Sequence, residues 1–359
     1  MSAEQPDLPH LGWDDGWQTA FADHEAAGRL PGRVCLEQRG SWGVLTERGE
    51  LPASVAGRLR HEAIGRPDLP VVGDWVALTV PADDEGARIE AVLPRRSAFV
   101  RRLAGATAEA QVLAANVDVV FLVSGLDADY NPRRIERAVT LAWESGARPV
   151  VVLNKADLCP DVEARLAEVA GLAPGVPVHA TRGLEGGGLE AFTGVLRPGV
   201  AGALLGSSGV GKSTIINRLL GREVLATAPV REHDARGRHT TTHRQLFVLP
   251  SGGLLVDTPG LREFGLWGEG SGLGATFADI DALAPACRYR DCRHADEPGC
   301  AVRQAVADGR LDPERLASFH KLAKELAFLH RQVDQRAALE EKRRWKSIHK
   351  MAKKFKPRG

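Results

Sequence analysis

Eight consecutive residues, Gly206-Ser207-Ser208-Gly209-Val210-Gly211-Lys212-Ser213, meet every position of the pattern G-x-x-x-x-G-K-[ST]. The glycines let the backbone turn with its N–H groups pointing inward, which forms an anion-binding nest at the start of a helix. Lys212 is placed to reach the terminal phosphates of a nucleotide, and Ser213, with Thr214 behind it, to ligate Mg²⁺. A second set of ligating residues lies near the C-terminus, Cys287-x₄-Cys292-x-His294-x₅-Cys300. Three thiolates and one imidazole make a closed Cys₃His set suited to one tetrahedral structural zinc, with no open position for catalysis by the metal. The other two cysteines, Cys35 and Cys159, sit in apolar contexts and read as buried thiols.

Two shorter motifs complete a nucleotide site. Asn154-Lys155-Ala156-Asp157 matches the guanine-recognition motif of GTPases. A carboxylate at Asp157 can accept from both N1–H and the N2 amino group of guanine, a donor pair that adenine lacks. Lys155 would lie along the base, and Asn154 would tie the loop to neighbouring backbone. Asp257-Thr258-Pro259-Gly260 has the D-x-x-G form, in which Asp257 holds Mg²⁺ through water and the Gly260 N–H senses the γ-phosphate. Between these motifs, residues 231–243 are polar and basic and read as a switch. One of Thr240, Thr241 and Thr242 would complete the Mg²⁺ shell when the γ-phosphate is present, with Thr241 as the working assignment.

The elements that must position these residues follow from periodicity. Asp118–Ser124 and Pro149–Leu153 are nearly continuous apolar runs, as strands buried on both faces should be. Between them Asn131-Pro132 opens a helix whose apolar face is Ile135, Ala138, Val139 and Ala142. That is a right-handed βαβ unit, with the guanine motif at the carboxyl end of its second strand, where ligands bind. A helix over 162–169 and a strand over 177–181 follow. The strand ends in Ala180-Thr181 and leads to Gly186-Gly187-Gly188, the place of a loop that closes over guanine through backbone N–H groups. Ala203-Leu204-Leu205 is the strand before the phosphate loop, residues 214–220 are the helix after it, and residues 253–256 form the strand before Asp257.

The N-terminal third has a different texture. Trp13, Trp17 and Phe21 at four-residue spacing mark one apolar face of a short helix that packs on the next domain. Strands over 34–36, 42–45, 71–78 and 88–93, broken by glycine-rich turns, predict a small β-barrel of the oligonucleotide-binding type. Arg33, Arg39, Arg58, Arg60, Arg66, Arg95, Arg96, Arg101 and Arg102 lie in or beside this segment, and RNA contact and plain solvation are both open for them. After the cysteine cluster, Asp312-Pro313 opens a helix with Leu316, Phe319, Ala323, Leu326, Leu329 and Val333 on one face. Nine Lys or Arg residues then fall between Lys342 and Arg358 with no acidic residue among them, a run that reads as a solvated or disordered tail or, with an RNA partner, as a source of phosphate contacts.

The 359 residues allow two or three domains, and 43% hydrophobic with 26% charged residues is ordinary for a folded soluble protein. A net charge of +1 says nothing about partners, so any nucleic-acid affinity must come from local basic patches. No apolar run is long enough for a membrane span and no signal peptide is indicated, which points to the cytosol.

The order of motifs identifies the class. Ordinary GTPases begin with the phosphate loop, whereas here the guanine motif comes first, then the phosphate loop, the switch and Asp257–Gly260. The GTPase domain is circularly permuted, so its second switch runs directly into the C-terminal module. With the barrel and the Cys₃His cluster, residues 32–300 resemble the ribosome small-subunit-dependent GTPase A family, bacterial 30S assembly factors. The resemblance implies GTP hydrolysis stimulated by the 30S subunit late in its maturation, with 16S rRNA, GTP and GDP as partners of a monomer. Leu261 stands where many GTPases carry a water-orienting glutamine, and the resemblance points to His239 for that role, with His233 and His243 nearby. The expected architecture is an extension (1–30), an OB-type barrel (31–103), a permuted α/β P-loop GTPase domain (104–277) and a zinc-binding helical domain with a basic tail (278–359). The alternative is an RNA-binding nucleotide switch with negligible turnover.

Overall fold

The computed structural model of the chain describes residues 7–38, 40–63, 65–81, 86–102, 110–225, 244–257 and 271–327. These form two compact units, 1–265 and 266–359.

The first unit opens with helix α1 (Asp15–Ala26), whose N-cap Asp14 accepts a hydrogen bond from the Trp17 N–H. Trp17 and Phe21 are buried, and Trp13, just before the cap, meets the Trp75 ring edge-on with centroids 4.7 Å apart. The aromatic spacing thus packs the helix on the barrel, as expected.

The barrel is built from β1 (Leu30–Gln38), β2 (Ser41–Thr46), β3 (Gly49–Val55), β4 (Trp75–Thr79) and β5 (Ala87–Val92). It runs β1-β2-β3-β5-β4 and closes through a β1–β4 pairing, with β3 and β5 parallel. This is the five-stranded order of an OB-type barrel. Val34, Val44, Val76, Leu78 and Ile89 fill its interior. The sequence reading missed β3, where Pro52 looks like a breaker. It also ran one strand too far back, since 71–74 is a turn whose buried Asp74 accepts from the Val71 N–H at 2.8 Å. Helix α2 (Gly57–Glu62) follows β3.

Three of the barrel arginines are structural. Arg33 is buried and donates to the carbonyl oxygens of Leu11, Gly73 and Asn116. Arg95 makes a two-pronged pair with Asp74 at 2.7 and 2.8 Å, and Arg96 pairs with Asp14 while stacking on Trp17. Arg60 and Arg66 are exposed, whereas Arg39 and the side chains of Arg101 and Arg102 lie outside the described residues.

A hairpin of β6 (Ala98–Arg102) and β7 (Ala110–Ala115), which periodicity did not reveal, links the barrel to the α/β domain. The domain comprises β8 (Val119–Gly125), α3 (Pro132–Glu144), β9 (Arg148–Asn154), α4 (Val162–Leu172), β10 (Val178–Thr181), α5 (Glu190–Thr193), β11 (Ala201–Leu205), α6 (Lys212–Leu220), β12 (Arg244–Val248) and β13 (Leu254–Asp257). Its strands run β10-β9-β8-β11-β13-β12, all parallel except β12. Successive residues of β8 serve opposite faces. Val120 and Leu122 join the core with Ile135 and Val139 of α3, while Phe121 and Val123 join that with Ile215 and Ile216 of α6. A strand buried on both sides reads as a continuous apolar run for this reason.

The edge strand β12 is not free. It pairs antiparallel with barrel strand β1 through Leu36 opposite Gln245 and Glu37 opposite Arg244, so one sheet of eleven strands runs through both domains. Arg244 adds an ion pair to Glu37 at 2.9 Å.

The second unit holds α7 (Ser271–Thr276), α8 (Ala278–Leu283), α9 (Ala301–Ala307) and helical residues 313–327 (α10). Phe277, Ile280, Val302, Leu322 and Leu326 are buried. Arg315, one residue before the apolar face begins at Leu316, is buried and paired with Asp279. Leu329, Val333 and the basic run 342–358 lie outside the described residues. No described helix is long and apolar enough to cross a membrane.

Candidate functional site

The parallel strands all point their carboxyl ends to one edge of the sheet. From β8 the chain steps to β9 and β10 on one side, and β11 and β13 lie on the other. The order therefore reverses between β8 and β11, and the crevice outside such a reversal is where open α/β sheets bind ligands. The phosphate loop follows β11, and the guanine motif ends the neighbouring β9.

The phosphate loop takes the shape its glycines permit. Gly206 passes so close to β8 that a Cβ there would lie 2.2 Å from the Val123 carbonyl oxygen. Gly211 caps α6 with φ +98°, and a Cβ on it would lie 2.4 Å from Asn154 Nδ2. Lys212 starts α6 and folds its ammonium back onto the carbonyl oxygens of Gly206 and Ser207 at 2.7 and 2.6 Å. Ser208 and Gly209 are exposed at the tip, Val210 is buried beneath it, and Ser213 and Thr214 are half-buried in the first turn of α6.

Asn154 joins the motifs physically. Its Nδ2 donates to the Val210 carbonyl at 2.7 Å, while its Oδ1 accepts from Thr181 Oγ1 at 3.0 Å and from the Gly183 N–H at 2.9 Å. One buried amide thus holds the ends of β9 and β10 against the phosphate loop. Replacing it with alanine orphans these groups, each costing about 1–3 kcal/mol. We expect Asn154→Ala to lose about 2–4 kcal/mol of stability in urea unfolding, more than a surface substitution does. Lys155 sits in the left-handed region at φ 62°, and Asp157 is exposed in the short turn Ala156–Leu158. Ala180 is half-buried and Thr181 buried at the end of β10. The Gly186–Gly188 cluster folds back on that strand, with Arg182 N–H donating to the Gly187 carbonyl at 2.8 Å.

Residues 125–134, after β8, belong to the same crevice and were missed in the sequence. Asp127 Oδ2 receives the Lys155 ammonium at 2.5 Å. Desolvation opposes its ionisation, but the Lys155 hydrogen bond and the Asp129 N–H hold its carboxyl below the usual range. Asp129 accepts from the Ser207 hydroxyl, and Arg134 Nη1 donates to Asp129 Oδ1 at 2.7 Å. The available signal was their place, an acidic pair directly after a buried strand's carboxyl end. Asp257 ends β13, half-buried, one strand from the phosphate loop. His239, Thr241 and Gly260, with the rest of 226–243 and 258–270, lie outside the described residues.

In the second unit the four expected ligand atoms converge, all within 4.8 Å of one another. Cys287 Sγ and Cys300 Sγ lie 3.6 and 3.5 Å from His294 Nδ1 and 3.9 Å apart. A tetrahedral ion with metal–sulfur and metal–nitrogen distances of about 2.3 and 2.0 Å requires edges of about 3.8 and 3.5 Å, so the cluster fits such an ion. His294 reaches it from a left-handed backbone at φ 59°. The Ala301 and Arg303 N–H groups donate to Cys287 and Cys300 Sγ at 3.3 and 3.5 Å. Burial lowers the His294 pKa, which favours the neutral imidazole that binds metal.

Comparison with known proteins agrees with this geometry. Residues 92–267 match the family model described as RsgA GTPase. A protein from Opitutus terrae named small ribosomal subunit biogenesis GTPase RsgA is 50% identical over 351 residues, covering 95% of this chain and 96% of the relative. One of the same name from Syntrophotalea carbinolica is 43% identical, with 97% and 98% covered. The crystal structure of YjeQ from Thermotoga maritima superposes with a TM-score of 0.63 at 28% identity, covering 83% of this chain and 99% of that one. YloQ, described as a circularly permuted GTPase, gives 0.62 at 24% identity, with 83% and 95% covered, and speaks to the fold alone. With the permuted sheet, the closed five-stranded barrel and the Cys₃His cluster all in place, the chain belongs to the RsgA GTPase family.

Proposed function

We propose that this chain hydrolyses GTP in the biogenesis of the small ribosomal subunit, binding the 30S particle and 16S rRNA as a cytoplasmic monomer whose turnover the particle stimulates. The observation that carries this is the Asn154 side chain. It fastens the guanine motif to the phosphate loop across the point where the strand order reverses, so base and polyphosphate recognition form one site. The names of the relatives, which place them in small-subunit biogenesis, support the partner.

The residue roles follow the motifs. Asp157 accepts the guanine donors, Lys155 flanks the base, and Asn154, Ala156, Ala180 and Thr181 shape its pocket. Residues Gly206, Ser207, Ser208, Gly209, Val210 and Gly211 cradle the phosphates with their N–H groups, Lys212 neutralises them, and Thr214 extends the cradle into α6. Ser213, in the helix that follows β11, and Asp257, at the end of the neighbouring strand β13, offer oxygens suited to Mg²⁺ bound with GTP, and Thr241 would complete the set. Magnesium would supply charge neutralisation on the phosphates. Gly260 senses the γ-phosphate, and His239 orients the attacking water. Cys287, Cys292, His294 and Cys300 hold one structural Zn²⁺.

We also propose the domain division 1–30, 31–103, 104–277 and 278–359. Strands β1–β5 in the second segment and β8–β13 in the third support it, although α7 packs with the last unit. Exposed Arg60 and Arg66 on the barrel and Arg288, Arg290 and Arg293 beside the cysteines offer phosphate contacts. The test is phosphate release from GTP and from ATP, each with and without 30S subunits. We expect GTP turnover alone to rise with the subunit. Equal use of both nucleotides, or no stimulation, would overturn the reading.

A further inference from the structure

The acidic side chain against the phosphate loop is the feature the motifs do not explain. Asp129 accepts a hydrogen bond from the hydroxyl of Ser207, the second residue of a loop shaped to receive polyphosphate. A carboxylate there repels the ligand the loop is built for. Arg134 stands against it, with Nη1 2.7 Å from Asp129 Oδ1 and 3.3 Å from Ser207 Oγ. Its backbone is fixed, because its N–H donates at 3.0 Å to the side chain of Asn131, the cap of α3. The pair is not buried, with the Arg134 side chain 52% and the Asp129 side chain 36% exposed, so an isolated pair of this kind adds little to folding. Among the described residues, the other guanidinium N–H groups of Arg134 make no hydrogen bond.

We propose that Arg134 is a positioning residue of the nucleotide site. It neutralises Asp129 so that this carboxylate can hold Ser207, and with it the start of the phosphate loop, without repelling a guanosine polyphosphate. The proposal rests on the reading that GTP occupies this loop. Neutralisation matters more the more charge the ligand carries, so Arg134 sets the relative affinity for the triphosphate, the diphosphate and the uncharged nucleoside.

The test is equilibrium binding of GTP, GDP and guanosine to the full chain and to Arg134→Ala, Asp129→Asn and the double variant, at low and high salt. In Arg134→Ala we expect GTP to bind about tenfold more weakly, GDP about threefold, and guanosine unchanged, with the GTP defect shrinking as salt rises. Asp129→Asn should bind GTP at least as tightly as the wild type, and the double variant should return to within about threefold of it. A role only in shaping the loop predicts the opposite. Guanosine binding would fall with GTP binding, and the double variant would be no better than Arg134→Ala. Either result overturns the proposal, and so does an Asp129→Asn protein with weakened GTP binding. Failure of the wild-type chain to bind GTP would instead overturn the proposed function.

Discussion

Asp157→Asn is expected to lower the preference of this chain for GTP over ATP by about a thousandfold, as read from competition binding. The carboxylate is exposed in the turn after β9, where it is available to both guanine donors. An amide in its place presents one acceptor and one donor, so the guanine amino group faces an N–H. Sites that recognise hydrogen-bonding groups reject analogues by about 10⁴–10⁵, and loss of one of two acceptors removes a large part of that. Xanthine carries a carbonyl where guanine has the amino group, so xanthosine triphosphate should regain affinity in the variant. If GTP discrimination is unchanged, Asp157 does not read the base. The effect differs in kind from that of Asn154→Ala, because among the described residues the Asp157 side chain, exposed in its turn, ties no other element down.

Stripping the metal is expected to produce the other large change. Metal binding to a Cys₃His set contributes about 10 kcal/mol of apparent folding free energy in small zinc domains. In the second unit the cluster ties Cys287, Cys292 and His294, between α8 and α9, to Cys300, which caps α9. A strong chelator should therefore unfold the backbone around the already exposed Arg288, Arg290 and Arg293, so that trypsin cleaves there, while the barrel and sheet cores stay protected. Those cores draw only on residues before 265. Metal analysis of the untreated protein should give one zinc per chain. Tryptic resistance that survives complete metal removal would show that the cluster is not what holds this segment.

The motifs were legible because their chemistry fixes spacing within a few residues. A phosphate loop must be a strand end, a turn and a helix start in series, and β11, the loop and α6 are that series. The buried strands β8 and β9 were legible for the same local reason. What stayed hidden depends on distance along the chain. Arg33 looked like a surface arginine until the carbonyl oxygens of Gly73 and Asn116 closed over it from far downstream. Glu136 is buried in the middle of α3 with Arg133 beside it, against the polar-out expectation for that helix. Asp127, Asp129 and Arg134 carry no spacing signature, since their partners Lys155 and Ser207 belong to other motifs. Pro52 concealed β3, although its neighbour Ala53 pairs with Ala87 in β5.

The pairing of β1 with β12 also bears on the open edges of the sheet. An unpaired strand at the end of a sheet is a template for another chain, and proteins blunt it with charge, bulges or a cover. Here the permuted domain delegates that protection to the barrel. Leu36 and Glu37 lie along Gln245 and Arg244, and the ring of barrel strands beyond them has no open side at β1, since β4 closes it. The barrel is in this sense a stopper as well as a candidate RNA platform. A fragment beginning after the barrel would carry β12 bare, inviting copies to stack edge to edge.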